Sequence, residues 1–158
     1  MKQRTELHVV DRRDFVLGAS SAAALLAFLG VGADPARAEL TWQEAIKKAI
    51  GDAKPAEGKV SITLPEIAEN GNTVPFTVAV DSPMTDNDYA KTVHIFATGN
   101  PRPDVASYHF TPMSGKAEVS SRMRLGKTQD VIAVAELSDG KFYMSKRSVK
   151  VTIGGCGG

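Results

Sequence analysis

The sequence predicts an all-β domain: an immunoglobulin-like antiparallel β-sandwich with one short N-terminal helix and a flexible C-terminal Gly-rich arm. Three observations predict it. From Val60 to Ile153 apolar residues recur with period two, in about six or seven short runs. Turn-forming segments break those runs, namely Asp81-Ser82-Pro83, Asn100-Pro101-Arg102-Pro103 and Ser138-Asp139-Gly140. The 158 residues, 42% hydrophobic and 23% charged, suffice for one ordinary core.

The helix comes first. Thr41-Trp42-Gln43-Glu44 has capping-box spacing, with the hydroxyl at the cap and a carboxylate three positions on. Leu40, Ala45, Ile46, Ala49 and Ile50 follow at helical spacing, and Gly51 stops the run. So short an amphipathic helix is marginal in water by itself and must pack on something. Asp52 to Lys59, with Pro55 and Gly58, reads as a linker. The strands then follow in order. Phe76, Val78 and Val80 share a face, as do Val93, Ile95 and Ala97, with His94 and Phe96 opposite. Ala106, Tyr108 and Phe110 alternate with Ser107 and His109. Ala117, Val119, Met123 and Leu125 oppose Glu118, Ser120, Arg122 and Arg124. Val131 to Leu137 is apolar on both faces and so belongs at the centre, and it leads us to expect that the isolated chain leaves apolar surface to cover. In the last run, Phe142 to Ile153, the apolar phase switches between Met144 and Val149, which predicts a bulge near Lys146–Ser148.

Residues 1–38 are expected to be an export signal rather than part of the fold. Arg12-Arg13 precede Phe15, no charge appears again until Asp34, and Ala36-Arg37-Ala38 has the small-x-small form of a peptidase site. Twin arginines before a mild apolar stretch resemble a Tat signal, although Asp11 stands where Ser or Thr is usual. A membrane anchor needs about 20 strongly apolar residues, whereas this stretch is diluted by Gly18, Ser20, Ser21, Gly30 and Gly32. The expected organisation is a Tat-type signal over 1–38, a sandwich with its helix over 39–153, and a carrier arm over 154–158, in the periplasm. The signal holds five of the 19 basic and four of the 18 acidic residues, which leaves the mature chain with 14 of each. That neutrality argues against a nucleic-acid binder, which needs a basic surplus to neutralise phosphates.

The chain has one cysteine, Cys156, so neither an internal disulfide nor a four-cysteine zinc cage is available. Four of its 14 glycines, Gly154, Gly155, Gly157 and Gly158, surround that cysteine. Three residues beyond Ile153 span at most roughly 10 Å, so the thiol sits on a thin arm able to enter a narrow partner pocket. No basic residue lies closer in sequence than Lys150, and the terminal carboxylate is two residues away. A thiol nucleophile in an enzyme wants a base or cation beside it; this one delegates activation to whatever binds the arm, which marks a carrier rather than a catalyst. Two alternatives stay open: a secreted thiol enzyme, a peroxidase or sulfurtransferase with His94 or His109 folded close, and a covalent dimerisation module. His94 and His109 lack a visible third metal ligand, and Gly115-Lys116 and Gly126-Lys127 lack the spacing of a phosphate loop. Arg122, Arg124 and Lys127 read as a solvated basic face. No catalytic residue, metal or cofactor is expected.

The terminal Val149-Lys150-Val151-Thr152-Ile153-Gly154-Gly155-Cys156-Gly157-Gly158 resembles the carboxyl end of the SoxY family, sulfur-carrier subunits of the thiosulfate-oxidising Sox system. The similarity continues through Pro65–Gly71, Val80–Met84, Ser114–Ala117 and Thr128–Val131, and the twin-arginine signal also fits. The resemblance implies a heterodimer with SoxZ and Cys156 as the covalent attachment site for sulfur intermediates on a swinging arm. It further implies a c-type cytochrome, SoxAX, that couples thiosulfate to the thiol, a hydrolase, SoxB, that releases sulfate, and, where present, a sulfur dehydrogenase, SoxCD. One prediction follows from the residues alone: the exported protein begins at Glu39. Terminal sequencing of a periplasmic extract checks it, and recovery of residues 15–33 in the membrane fraction overturns it.

Overall fold

The computed structural model describes residues 40–155. The predicted signal, and Cys156, Gly157 and Gly158 of the predicted arm, lie outside the described residues. Helix α1 (Trp42–Ile50) is followed by strands β1 (Ala56–Glu57), β2 (Val60–Thr63), β3 (Ile67–Asn70), β4 (Val74–Val80), β5 (Ala90–Ala97) and β6 (Asp104–His109). A 3₁₀ turn (Pro112–Ser114) and strands β7 (Glu118–Met123), β8 (Gln129–Leu137) and β9 (Phe142–Ile153) complete the domain. The larger sheet has the order β1-β9-β8-β5-β6, with β3 against the far end of β9; the smaller is β2-β4-β7. Among the described residues no helix is long and apolar enough to cross a membrane.

Local chemistry explains the helix boundaries. Thr41 Oγ1 accepts from the Glu44 N–H at 3.3 Å, and Glu44 Oε2 accepts from the Thr41 N–H at 2.9 Å, so both members of the expected capping box are formed. Gly51 ends the helix at φ 67°, in the left-handed region that favours glycine.

The two faces of the larger sheet are buried against different things. Val93, Ile95 and Ala97 of β5, with Val131, Ala133, Ala135 and Leu137 of β8, point toward the smaller sheet and meet Val74, Phe76 and Val78 of β4. Phe96, Ile132 and Val134 point the other way, under Ala45 and Ile50 of α1. β8 is thus central and apolar on both faces, as its sequence predicts. Both faces are covered within the chain, so β8 supplies no exposed apolar surface, contrary to the expectation drawn from it.

The same arrangement corrects the reading of β9. Its pairing with β8 runs without interruption from Phe142↔Glu136 to Val149↔Gln129, and there is no bulge near Lys146–Ser148. Phe142 and Met144 pack in the helix-side cluster, whereas Tyr143, Val149 and Val151 pack in the inter-sheet core. The apolar phase switches because the covered face changes along the strand, not because the backbone slips. The register irregularities lie in β5 instead, between Ala90 and Thr92 and between Ile95 and Phe96.

The sandwich is antiparallel except at the edges of β9. There β1 pairs in parallel at Tyr143–Met144, so the expected linker contains a two-residue strand, and β3 pairs in parallel at Lys150–Ile153. The segment β1–β4 alternates between the two sheets and stitches their edges together.

On the helix-side face, His94 Nδ1 lies 2.8 Å from Ser107 Oγ. Burial, with repulsion from His109, holds the His94 imidazole below its ordinary pKa, against a smaller opposing effect of Glu136. The unfolded chain therefore binds the proton more readily, and His94 stabilises the fold at pH values above about 6.5 and less as pH falls below it. The expected outcome is that His94→Gln flattens the loss of melting temperature between pH 6.5 and 5; equal slopes for variant and wild type overturn it.

Candidate functional site

The described part of the C-terminal tail is held to the domain on both sides, by backbone groups and two threonine hydroxyls. Lys150 N–H donates to the Glu66 carbonyl at 2.9 Å, Gly71 N–H to the Ile153 carbonyl at 2.7 Å, and Thr152 Oγ1 to the Ala68 carbonyl at 3.1 Å. These bonds fasten the end of β9 to β3 and the β3–β4 turn. On the other side Val151 N–H donates to Thr128 Oγ1 at 3.0 Å, and Gly155 N–H donates to the Leu125 carbonyl at 3.0 Å. Leu125 N–H in turn donates to the Gly71 carbonyl at 2.8 Å, so the two loops that flank the tail are also bonded to each other.

Glycine is required here for closeness rather than for freedom. A Cβ on Gly71 would collide with the Leu125 carbonyl oxygen and stand 2.7 Å from Gly155 N. One on Gly155 would lie 2.9 Å from the Gly71 carbonyl oxygen, and one on Gly154 would collide with the Gly126 carbonyl oxygen. Gly155 is buried. From sequence, the chain is expected to leave the domain at Gly154; in the structure the packed tail continues through Gly155. Two of the expected arm glycines, Gly154 and Gly155, are thus the root of the tail, seated between Gly71 and the Leu125–Gly126 loop. Gly157, Gly158 and Cys156 lie beyond the described residues.

The groups nearest to Gly154 and Gly155 are backbone atoms of Gly71, Asn72 and Gly126, with no acid or base side chain among them. His94 is hydrogen-bonded to Ser107, and His109 Nδ1 lies 3.2 Å from Thr92 Oγ1. Both histidines stand on adjacent strands β5 and β6 with hydroxyl partners. Among the described residues no three or more His, Cys, Asp or Glu side chains gather as a metal site. Arg122, Arg124 and Lys127 are exposed, and none joins an ion pair among the described residues.

Sequence reasoning did not single out Gly71, Leu125 or Gly126 as parts of the tail's seat. Gly71 follows Asn70 and reads as an ordinary turn glycine, and nothing local says that it touches a residue 84 positions later. The nearest signal was their place in the segments that carry the family resemblance, which include Gly71 and stop short of Leu125.

A two-sheet, immunoglobulin-like sandwich whose last strand delivers a backbone-seated tail is the class of protein that fold and site define. The family described as sulfur oxidation protein SoxY matches residues 46–156. Among solved structures, the sulfur carrier protein SoxY from Chlorobium limicola f thiosulfatophilum is 41% identical over 70% of this chain and 96% of its own, with a TM-score of 0.60. The chain belongs to the SoxY family. A superoxide reductase (neelaredoxin) from Ignicoccus hospitalis, the E23A form, shares the fold at 19% identity, covering 68% of this chain and 86% of that one with a TM-score of 0.54. A putative superoxide reductase from Thermotoga maritima does so at 18% identity, 63% and 93% coverage and a TM-score of 0.52. At those identities the likeness is one of fold alone. No curated protein matches the chain by sequence.

The seat makes a prediction. Gly71→Ala should destabilise the domain by about 1–3 kcal/mol, because a methyl group is forced between two backbones that have no side chain to move aside. Urea unfolding measures it; a stability equal to wild type overturns the close-packed seat.

Proposed function

We propose that this protein is a periplasmic sulfur carrier whose Cys156 covalently holds thiosulfate-derived sulfur and presents it to the enzymes of the Sox system. The observation that carries the reading is the family match, which runs through the whole sandwich and ends on Cys156 itself. A solved relative of 41% identity is named a sulfur carrier protein. In the sequence no basic residue lies closer to Cys156 than Lys150, which supports a thiol activated by a partner rather than by its own segment.

The chemistry this asks of Cys156 is simple to balance. The thiolate and thiosulfate join through a new S–S bond, and the two electrons released pass to SoxAX, a c-type cytochrome partner. The product is a cysteine S-thiosulfonate. Attack of water at its sulfonate sulfur, catalysed by SoxB, breaks the terminal S–S bond and releases sulfate and two protons. The outer sulfur remains on the cysteine as a persulfide, which SoxCD oxidises where that component is present. At each step this chain contributes one sulfur atom and its presentation, and no catalysis of its own. SoxZ is the expected heterodimeric partner, with Gly154 and Gly155 as the seated root and Gly157 and Gly158 flanking the cysteine that visits each enzyme.

Cys156→Ser is expected to abolish loading while leaving the melting temperature within a few degrees of wild type, since the substitution exchanges a single sulfur for oxygen. Mass spectrometry of the terminal peptide from thiosulfate-grown cells reads the adduct. An adduct-free wild-type peptide, or sulfur retained on the serine variant, overturns the carrier reading. A disulfide-linked dimer as the sole thiol product, unaffected by sulfite, would favour a dimerisation role instead.

A further inference from the structure

Gln129, the first residue of β8, is only 7% exposed, and a buried amide side chain must find partners for both of its ends. Its Oε1 accepts from the Gly99 N–H at 2.7 Å, and its Nε2 donates to Asn100 Oδ1 at 2.9 Å and to the Lys127 carbonyl at 3.1 Å. Asn100, in the turn between β5 and β6, spends its amide on the same loop. Its Nδ2 donates to the Arg124 carbonyl at 2.8 Å, and its Oδ1 accepts from the Gly126 N–H at 3.0 Å. Two side chains therefore hold the backbone of Arg124, Gly126 and Lys127.

That loop already has an anchor to the fold. Leu125 is fully buried in the inter-sheet core, which ties the loop down whether or not the amides are present. The side-chain amides add something different: they set the orientation of the loop's peptide groups. Those peptide groups seat the tail, because Gly155 N–H donates to the Leu125 carbonyl and Gly154 lies against the Gly126 carbonyl. A continuous hydrogen-bonded path thus runs from Gly99 and Asn100 through the Arg124–Lys127 loop to the residue that precedes Cys156.

We propose that Asn100 and Gln129 are positioning residues for the carrier arm: through the Arg124–Lys127 loop they set the place and direction in which the tail leaves the sandwich. The proposal rests on the carrier reading of Cys156. A single peptide unit separates Gly155 from the cysteine, so a shift of the root shifts the volume that the thiol sweeps. A partner enzyme that must receive the sulfur in a narrow site then meets it less often in a productive geometry.

The test uses the full mature chain carrying Asn100→Ala or Asn100→Asp. In Asn100→Ala, amide hydrogen exchange at Gly155 is expected to rise ~tenfold or more, while Val131 and Ala133 within β8 exchange as in wild type. Asn100→Asp keeps the acceptor for Gly126 and Gln129, and it restores most of the protection. Alkylation of Cys156 by iodoacetamide keeps its rate in both, whereas loading with thiosulfate by the cytochrome partner shows KM raised ~threefold or more in Asn100→Ala with kcat retained. Unchanged protection at Gly155, or protection lost only together with Val131 and Ala133, overturns the proposal. So does an unchanged KM when Gly155 is deprotected. If Asn100→Ala does not fold, Asn100→Ser, too short to reach the loop, carries the same comparisons. A wild-type chain that never takes up sulfur sinks the carrier reading instead, and the exchange result at Gly155 stands apart from it.

Discussion

Gly71, Leu125 and Gly155 meet backbone to backbone at one end of the sandwich, and the placement of the tail depends on that meeting. The backbones cross so closely here that a Cβ on Gly71 or Gly154 would overlap a facing carbonyl oxygen. Removing the Cβ atoms lets the Gly155 amide reach the Leu125 carbonyl while Gly71 bonds both Ile153 and Leu125. At Gly155, its last described residue, the tail is then fastened by backbone alone. Side chains would have widened the root; glycine keeps it thin up to the point where Cys156 begins.

The rest of the fold supplies the platform for that meeting. β9 is long enough to pair with β8 along its first eight residues and with β3 along its last four. Its far end therefore projects past β8, where the β3–β4 turn and the β7–β8 loop close around it. Helix α1 and the smaller sheet cover opposite faces of the larger one, so β8 is buried on both sides and forms a rigid spine beside β9. Exposed ion pairs such as Lys47–Asp52 and Lys141–Asp139 decorate this frame and contribute little to it.

A carrier differs from an enzyme in what its scaffold must hold still. Among the described residues no three or more His, Cys, Asp or Glu side chains gather as a metal site. What the domain does hold is the loop beside the tail, through the amides of Asn100 in the β5–β6 turn and Gln129 at the start of β8, with Leu125 of that loop buried.

Much of this was legible in the order of residues. Thr41 and Glu44 announce a helix start because capping is a contact over three positions. Alternation marks β4 and β5, and an apolar run on both faces marks β8, because side chains point to opposite faces every two residues. The sole cysteine among four glycines marks the tail. The first two are short-range signals that survive translation into the fold; Cys156 lies beyond the described residues. Three features depended on contacts between distant segments. The phase of β9 reads as a bulge until one knows that α1 covers one face and β4 the other. The two-residue β1 and the parallel β3 exist only because β9 offers edges for them. Gly154 and Gly155 read as release points, yet they are the seat, because the backbones that crowd them come from Gly71 and Gly126. Sequence alone thus determined which local conformations the chain takes and where its one cysteine stands; tertiary structure decided which backbones come within a Cβ of one another, since that distance is set by sheet pairing between residues far apart in the chain.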